Sequence, residues 1–583
     1  MDRKGKCFSC ILSLILITGV CISGIAYGNE FWVGLGTNLH NQERDLYISS
    51  SPGATGNVQN FDGSFNVPFT VLPGGTVIIT VPSSLAPQYA GGVISNLGLR
   101  ISADNQVIAY LMDANHPTAT NDLAVLFPTT GIGTEYLVMA YGSNIEYSQM
   151  VIAATQDGTN VTITPKVTTT DGKTAGTPFT VTLNAFQTVQ YLSSAPADLT
   201  GTIVSSDKPV SVFGGHTCAY VPGGTAACDI LYEQIPPVST WGMEFGMCPT
   251  NRPVCPGDVL RVLASADGTA VTVNINGSTS THDLNRGEYF TIEGAGGWMN
   301  GPTHVTSNHP VLVGQYMVGG TLCGSWGDPA FLLVPPVNQW ASGYIFNTPL
   351  DYDLDYISVT IQATQQNSFV LDGVPVGEVT FSPIPETTLV CGAIPVADGP
   401  HQIAAGSPFL LQIYGYDDYW ASYASVGGQI ASGGGGSLHA PKTGEIVMFE
   451  DGGRRMHFMT TYQDDLGNGH ITEAQLKITR EEDGEVILAY DVEENLLKME
   501  DTYLGVTRSR GQCMPGQLKT LRGKLLTLNC QKTNVVASEN TLKVQWLVKA
   551  KKTFAGLKDL LLWVKDKDAA TDGYNEAGTW FSE

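Results

Sequence analysis

The feature that most constrains this chain is a unit of roughly 100 residues met four times. Gly28-Asn29-Glu30-Phe31 returns as Gly133-Thr134-Glu135-Tyr136, then as Trp241-Gly242-Met243-Glu244-Phe245. A looser version follows at Trp340-Ala341-Ser342-Gly343-Tyr344. A second marker keeps phase with the first: Val107 in SADNQVIAYL, Val210 in SSDKPVSVFG, Val311 in TSNHPVLVGQ and Phe409 in AGSPFLLQIY. A third comes after it, with Asp122 before LFPTT, Asp229 before Pro236-Pro237 and Asp328 before Pro335-Pro336. Residues 29–432 therefore read as one block built by duplication. Repeated modules of this kind present surfaces more often than they house one catalytic centre.

Within the block the periodicity is that of strands. Val77–Val81, Val161–Thr164, Val271–Ile275 and Ile357–Ile361 are rich in β-branched residues, with Gly, Pro, Asn or Asp near their ends. Asp157-Gly158-Thr159 and Asp267-Gly268-Thr269 have the chemistry of tight hairpin turns. No helical period is sustained over three turns. The fold class expected is all-β, with four β-sandwich-like modules packed in series or in a closed ring. The alternative is a four-bladed propeller-like ring with enlarged blades. A C-terminal β-sandwich follows.

The two ends of the block are marked by composition. Arg3, Lys4 and Lys6 precede a mostly apolar run from Phe8 to Ile25, and Ala26-Tyr27-Gly28 suits cleavage, so residues 1–28 read as a signal peptide. Residues 433–441 begin with Gly433-Gly434-Gly435-Gly436-Ser437, a flexible-linker composition, and separate the block from a domain at 442–583. Lys and Arg are frequent only beyond this point. Between Cys7 and Ala440 the basic residues are Arg44, Arg100, Lys166, Lys173, Lys208, Arg252, Arg261 and Arg286, against a whole-chain net charge of −24. So acidic a block repels phosphate backbones, which excludes nucleic acid as a partner.

Eight cysteines remain after the signal, and an even count in an exported chain points to disulfides. Sequence proximity pairs Cys218 with Cys228, Cys248 with Cys255 and Cys513 with Cys530. Cys323 with Cys391 is left by elimination. A short closed loop contributes roughly 3 kcal/mol when unstrained.

Val212-Phe213-Gly214-Gly215-His216-Thr217-Cys218, Cys228-Asp229, Glu233-Gln234-Ile235-Pro236-Pro237 and Trp241-Gly242 resemble the N-terminal domain of the IgG Fc-binding protein family. So do Phe31-Trp32-Val33-Gly34 and Gly327-Asp328-Pro329-Ala330 before Pro335-Pro336. The resemblance covers roughly the repeat block and implies an extracellular binding or adhesive role in an exported bacterial protein. It does not fix the ligand, because a scaffold persists while ligands change. Phe554–Lys558, Leu560–Val564, Asp566 and Gly578-Thr579-Trp580 resemble a β-sandwich module that ends some exported bacterial surface proteins.

Candidate chemistry is sparse. His216, Cys218, Cys228 and Asp229 match no standard zinc spacing, and in an oxidising compartment the cysteines are expected to bond to each other. His304 and His309 lack partners at helical spacing. Asp351, Asp353 and Asp355 alternate, so on a strand they share one face and are calcium candidates; Asp464–Gly469 is a looser one. No nucleophile-elbow motif is present. Gly327-Asp328-Pro329-Ala330 reads as a turn. The expectation is a secreted or cell-surface, non-catalytic protein without a cofactor, calcium aside, and not membrane-spanning after signal cleavage. Its partner is expected to be a glycoprotein, glycan or cell surface. The alternatives are a self-assembling component of an extracellular layer and a secreted hydrolase. The segment Gly214–Trp241 is expected to clamp modules together, with Trp241 buried and Asp229 and Glu233 accepting backbone N–H groups.

Overall fold

The fold is that of a computed structural model. It describes residues 28–582 except 41, 51–52, 88, 114–119, 253, 351, 419, 428–441, 451–454, 464–470, 481–483, 504–505, 539–540, 555 and 567–570. Residues 1–27 of the signal segment, the Gly433–Ser437 run, Asp351 and Asp464–Gly469 lie outside the described residues, and Gly28 opens the first strand. The chain divides near residue 434 into two compact units.

Each quarter of the first unit is a module of seven principal strands. In the first module these are Gly28–Val33, Arg44–Ser50, Ala54–Gln59, Asn66–Val71, Gly75–Val81, Leu99–Asp113 and Asp122–Val125. Hydrogen-bonded neighbours run four-three-six-two-five, and strands one and seven also join strand six. The order recurs in the modules whose first strands are Gly133–Leu137, Gly242–Met247 and Ala341–Thr348.

The sixth strand is the spine. It runs 15, 17, 15 and 18 residues in Leu99–Asp113, Ile203–Ala219, Thr303–Met317 and Gly399–Tyr416. Its first half pairs with strands one and three, its second half with strands two and seven. One bent strand thus serves two faces, and the module is sandwich-like.

The bend falls at the same place four times. Gly28 opposes Val107 but Glu30 opposes Ser102; Gly133 opposes Val210 but Glu135 opposes Ser205. Gly242 opposes Val311 but Glu244 opposes Thr306; Ala341 opposes Phe409 but Gly343 opposes Ala404. These are β-bulges, and the first two sequence markers are the two sides of one bulge. In modules two and four a tyrosine hydroxyl fills it. Tyr136 accepts from the Gly133 N–H and donates to the Val210 carbonyl; Tyr344 does the same between Ala341 and Phe409. Glycine opens the first three modules because a Cβ at Gly28, Gly133 or Gly242 would meet the ring of Pro128, Pro237 or Pro336.

The seventh strands, Asp122–Val125, Asp229–Gln234, Ala330–Val334 and Ser422–Val426, are buried throughout. Each lies against the next and the fourth against the first, so the modules close into a ring around them. The apolar cores cross module boundaries. Tyr47, Tyr110 and Leu123 of module one share a cluster with Val313 of module three and Ile413 of module four.

One expectation needs correcting. Gly158 and Gly268 do turn the chain with positive φ. Yet the strands they join, Tyr147–Ala154 to Thr159–Thr164 and Val259–Ala264 to Thr269–Ile275, hydrogen-bond to the spine and not to each other. These turns carry the chain between faces of the sandwich and are not hairpins.

The second unit is a sandwich of two six-stranded sheets. Phe458, Trp546 and Leu528 of one sheet pack on Leu476, Leu488 and Leu562 of the other. Cys513 and Cys530 are bonded there.

Candidate functional site

The axis of the ring is polar. Asp122 is fully buried, and its carboxylate accepts the backbone N–H of Leu123 at 3.0 Å, Tyr232 at 3.3 Å, Phe331 at 3.1 Å and Ala424 at 3.3 Å. Strand register makes these four donors equivalent: each stands two residues before the partner of spine residue Tyr110, Phe213, Gly314 or Gln412. One carboxylate therefore gathers one amide from every module. Burial pushes its pKa well up, and the four N–H bonds draw it back. The same register shows that Asp122 is not the counterpart of Asp229 and Asp328 but sits two residues further along its strand.

Asp229 and Asp328 lie beside it, also buried, and Asp229 Oδ2 and Asp328 Oδ1 have no hydrogen-bond partner. Asp229 accepts its neighbour Ile230 N–H at 2.7 Å. Glu233 departs from expectation. Its Oε1 has no hydrogen-bond partner, and burial holds its pKa well above the usual carboxylate range. Trp241 is buried as expected, its indole N–H donating to Pro236 O at 3.0 Å, and Trp340 repeats the contact on Pro335 at 3.2 Å.

Three of the block's few cations are consumed inside it. Arg44 pairs with Asp113 at 3.1 Å, Arg252 with Asp258 at 3.5 Å and Arg261 with Asp198 at 2.8 Å. Arg261 also donates to Ala140 O and lies against the rings of Tyr141, Tyr289 and Tyr316. The exterior is left correspondingly acidic.

Cys218 and Cys228 are bonded, closing the loop between the spine and seventh strand of module two. His216 beside them is buried, accepts the Cys218 N–H on Nδ1, and is pushed down by burial to a pKa of about 3. The other two pairings in the block are neither Cys248–Cys255, suggested by sequence proximity, nor Cys323–Cys391, left by elimination. Cys248 bonds to Cys391, and Cys255 to Cys323. Proximity along the chain misled because the end of module three's first strand lies beside module four. Cys248–Cys391 is a bond between modules.

That bond lines a concavity. In the first three modules strands three and four form a hairpin, such as Thr269–Ile275 with Ser278–Leu284. In module four they shrink to Val370–Leu371 and Val374–Pro375. The cause is local: Pro375 lacks a donor, and Gly373 and Gly377 flank it. Residues 376–381 then run outside any strand. The gap left by the shortened hairpin is a groove of about 900 Å³. One wall is Val374–Thr380; the other is Cys248–Asn251 with Asn300–Pro302 of module three. Cys391–Pro395 also line it. Leu371, Val374, Val376, Val379 and Ile394 supply apolar surface, and Glu378 is the one charged lining residue.

The calcium candidates part company. Asp355 is buried with its carboxyl accepting the Tyr423 hydroxyl, and burial raises its pKa to about 8, with Asp398 pushing the same way. Asp353 accepts the Asp418 N–H at 3.2 Å. Among the described residues no three His, Cys, Asp or Glu side chains converge as a metal site. His304 meets Glu244 at 3.2 Å on the surface. No helix of the described residues is long and apolar enough to cross a membrane.

The family model for IgGFc binding protein matches residues 122–415, half of the chain, from the first axial strand to near the end of the last spine. The chain belongs to the IgGFc-binding family. The human IgGFc-binding protein is 27% identical over 344 residues, which cover 58% of this chain and 6% of that protein. The chain thus spans a small part of its relative's length. Among solved structures, an E. coli alpha-2-macroglobulin aligns over 96% of this chain and 46% of its own at 8% identity and a TM-score of 0.16. A family 32 glycoside hydrolase from Bifidobacterium adolescentis aligns over 90% and 99% at 9% identity and a TM-score of 0.13. Neither superposition is close enough to bear on fold or activity.

The family match thus takes in the first three axial strands, the inter-module disulfide and the groove. Sequence reading reached the first of these but not the groove. A signal for it was present: LDGVPVGEV breaks with Pro and Gly the run that would otherwise have formed strands three and four.

Proposed function

We propose that this member of the IgGFc-binding family is an exported, non-catalytic binding protein that holds a glycoprotein, glycan or cell-surface partner in the groove between modules three and four. The observation that carries this reading is the groove itself. A ring whose cations are few and partly buried opens, between modules three and four, a recess of mixed apolar and polar lining with one charged residue, Glu378, framed by a disulfide. Such recesses with a few polar groups are where binding surfaces are built. The name of the human relative speaks of Fc, and an Fc-bearing glycoprotein falls within the partner class. The C-terminal sandwich serves on this reading as an accessory presenting the ring at a surface. The test is binding of the full mature chain to immobilised mucin glycoprotein, to IgG and to a glycan array. Saturable binding to one of them is expected. Concentration-dependent self-assembly with no binding to any of the three would favour an extracellular layer component instead.

A further inference from the structure

Asp229 opens the seventh strand of module two, and Asp328 stands two residues before that of module three. These strands are neighbours in the ring. The two side chains are 0% and 2% exposed. Asp229 Oδ2 and Asp328 Oδ1 have no donor from any other residue. Two ionised carboxylates cannot occupy such a place together, because like charges in a low dielectric repel strongly and nothing between them is positive. Only a proton on one of them joins the two.

We propose that Asp229 and Asp328 form a proton-bridged carboxyl pair that latches modules two and three, so that loss of the proton loosens the ring at its axis. The surroundings assign the proton. Asp328 faces the guanidinium of Arg252 and the backbone amide of Ser422, both of which favour its ionised form. Asp229 faces Asp328 and Asp122, both of which disfavour ionisation. Asp229 is therefore the acid and Asp328 the acceptor. Asp417 adds negative charge near Asp328, and burial together with both carboxyls keeps Tyr352 a neutral phenol. The sign follows. A carboxyl whose folded pKa is raised contributes stability that is complete below the unfolded value, near about 4, and is lost as pH climbs to the folded value. The latch holds in acid and weakens towards alkaline pH, the reverse of a salt-bridged aspartate.

The test is hydrogen exchange of the full chain from about pH 5 to about pH 8, read as protection factors in Asp229–Gln234 and Ala330–Val334. One linked proton changes the opening equilibrium up to tenfold per pH unit. Asp229→Asn supplies a permanent donor to Asp328, so its protection should fall up to tenfold less per pH unit than the wild type's. An equal slope in the two would overturn the proposal. Should the variant fail to fold, the wild type alone decides: protection in these two strands must fall as pH rises, and protection that stays constant from about pH 5 to about pH 8 would overturn the latch. Calcium that restores protection at high pH in the wild type would also overturn it, by showing that a cation holds the pair.

Discussion

Removing the axial carboxylate is the most searching perturbation of the fold. In Asp122→Ala four buried amides, those of Leu123, Tyr232, Phe331 and Ala424, lose their shared acceptor. A hydrogen bond to a charged group is worth about 1.5–3 kcal/mol, and bonds as long as two of these belong at or below the lower end. The sum is about 5 kcal/mol, reduced to about 4 kcal/mol by relief of the buried charge and by a water entering the space. At about 2.1 cal/mol/K per residue, a unit of about 400 residues then melts about 5 °C lower. Asp122→Asn should fall roughly half as far. Its amide replaces one carboxylate oxygen, so either the Leu123–Ala424 pair or the Tyr232–Phe331 pair of donors meets another donor. Calorimetry of the full chain checks this, with Asp104→Ala as control, since that exposed carboxylate serves only Thr55. A shift below about 1 °C in Asp122→Ala, matching the control, would refute the view that one carboxylate ties the four modules together.

Other outcomes follow from the joints between modules. Cys248→Ser with Cys391→Ser opens a loop of 143 residues and should cost up to about 5 kcal/mol. Non-reduced peptide mapping should recover the Cys248–Cys391 and Cys255–Cys323 pairs, and recovery of Cys248–Cys255 would contradict this arrangement. Arg261→Ala strands Asp198 inside the joint of modules two and three and should cost about 3–5 kcal/mol, whereas the double change Arg261→Met with Asp198→Leu should be much milder. Asp355, at about 8, should give the same acid-side stabilisation as the axial pair, lost from about pH 4 upward, and Asp355→Asn should flatten that part of a melting-temperature profile.

How much of this was legible in the sequence depended on whether the determinant was local. The bulge is local: its two sides are short motifs, and both recur because every spine bends at the same residue. The strand runs are likewise set by β-branched residues and their flanking turns. Residue type alone misaligned the axial aspartates, since Asp122 and Asp229 look alike in a string but differ by two positions in register. The cysteines failed for the same reason in three dimensions, since packing of module four on module three brings Cys391 to Cys248. The groove was hidden differently, because it arises from a hairpin that module four shortens, and its mark is a strand pattern broken by Pro and Gly rather than a motif of its own.

The claim that the groove is the binding face is tested most directly by one measurement. Val374 is 65% exposed on the groove wall, and Leu72, 72% exposed in module one, is a matched control. Affinity of the full mature chain for whichever glycoprotein it binds should fall about tenfold or more in Val374→Glu, the loss expected when a charge enters an apolar contact. Leu72→Glu should bind as the wild type does, and both variants should melt where the wild type melts. Undiminished binding by Val374→Glu, or an equal loss in Leu72→Glu, would contradict the account.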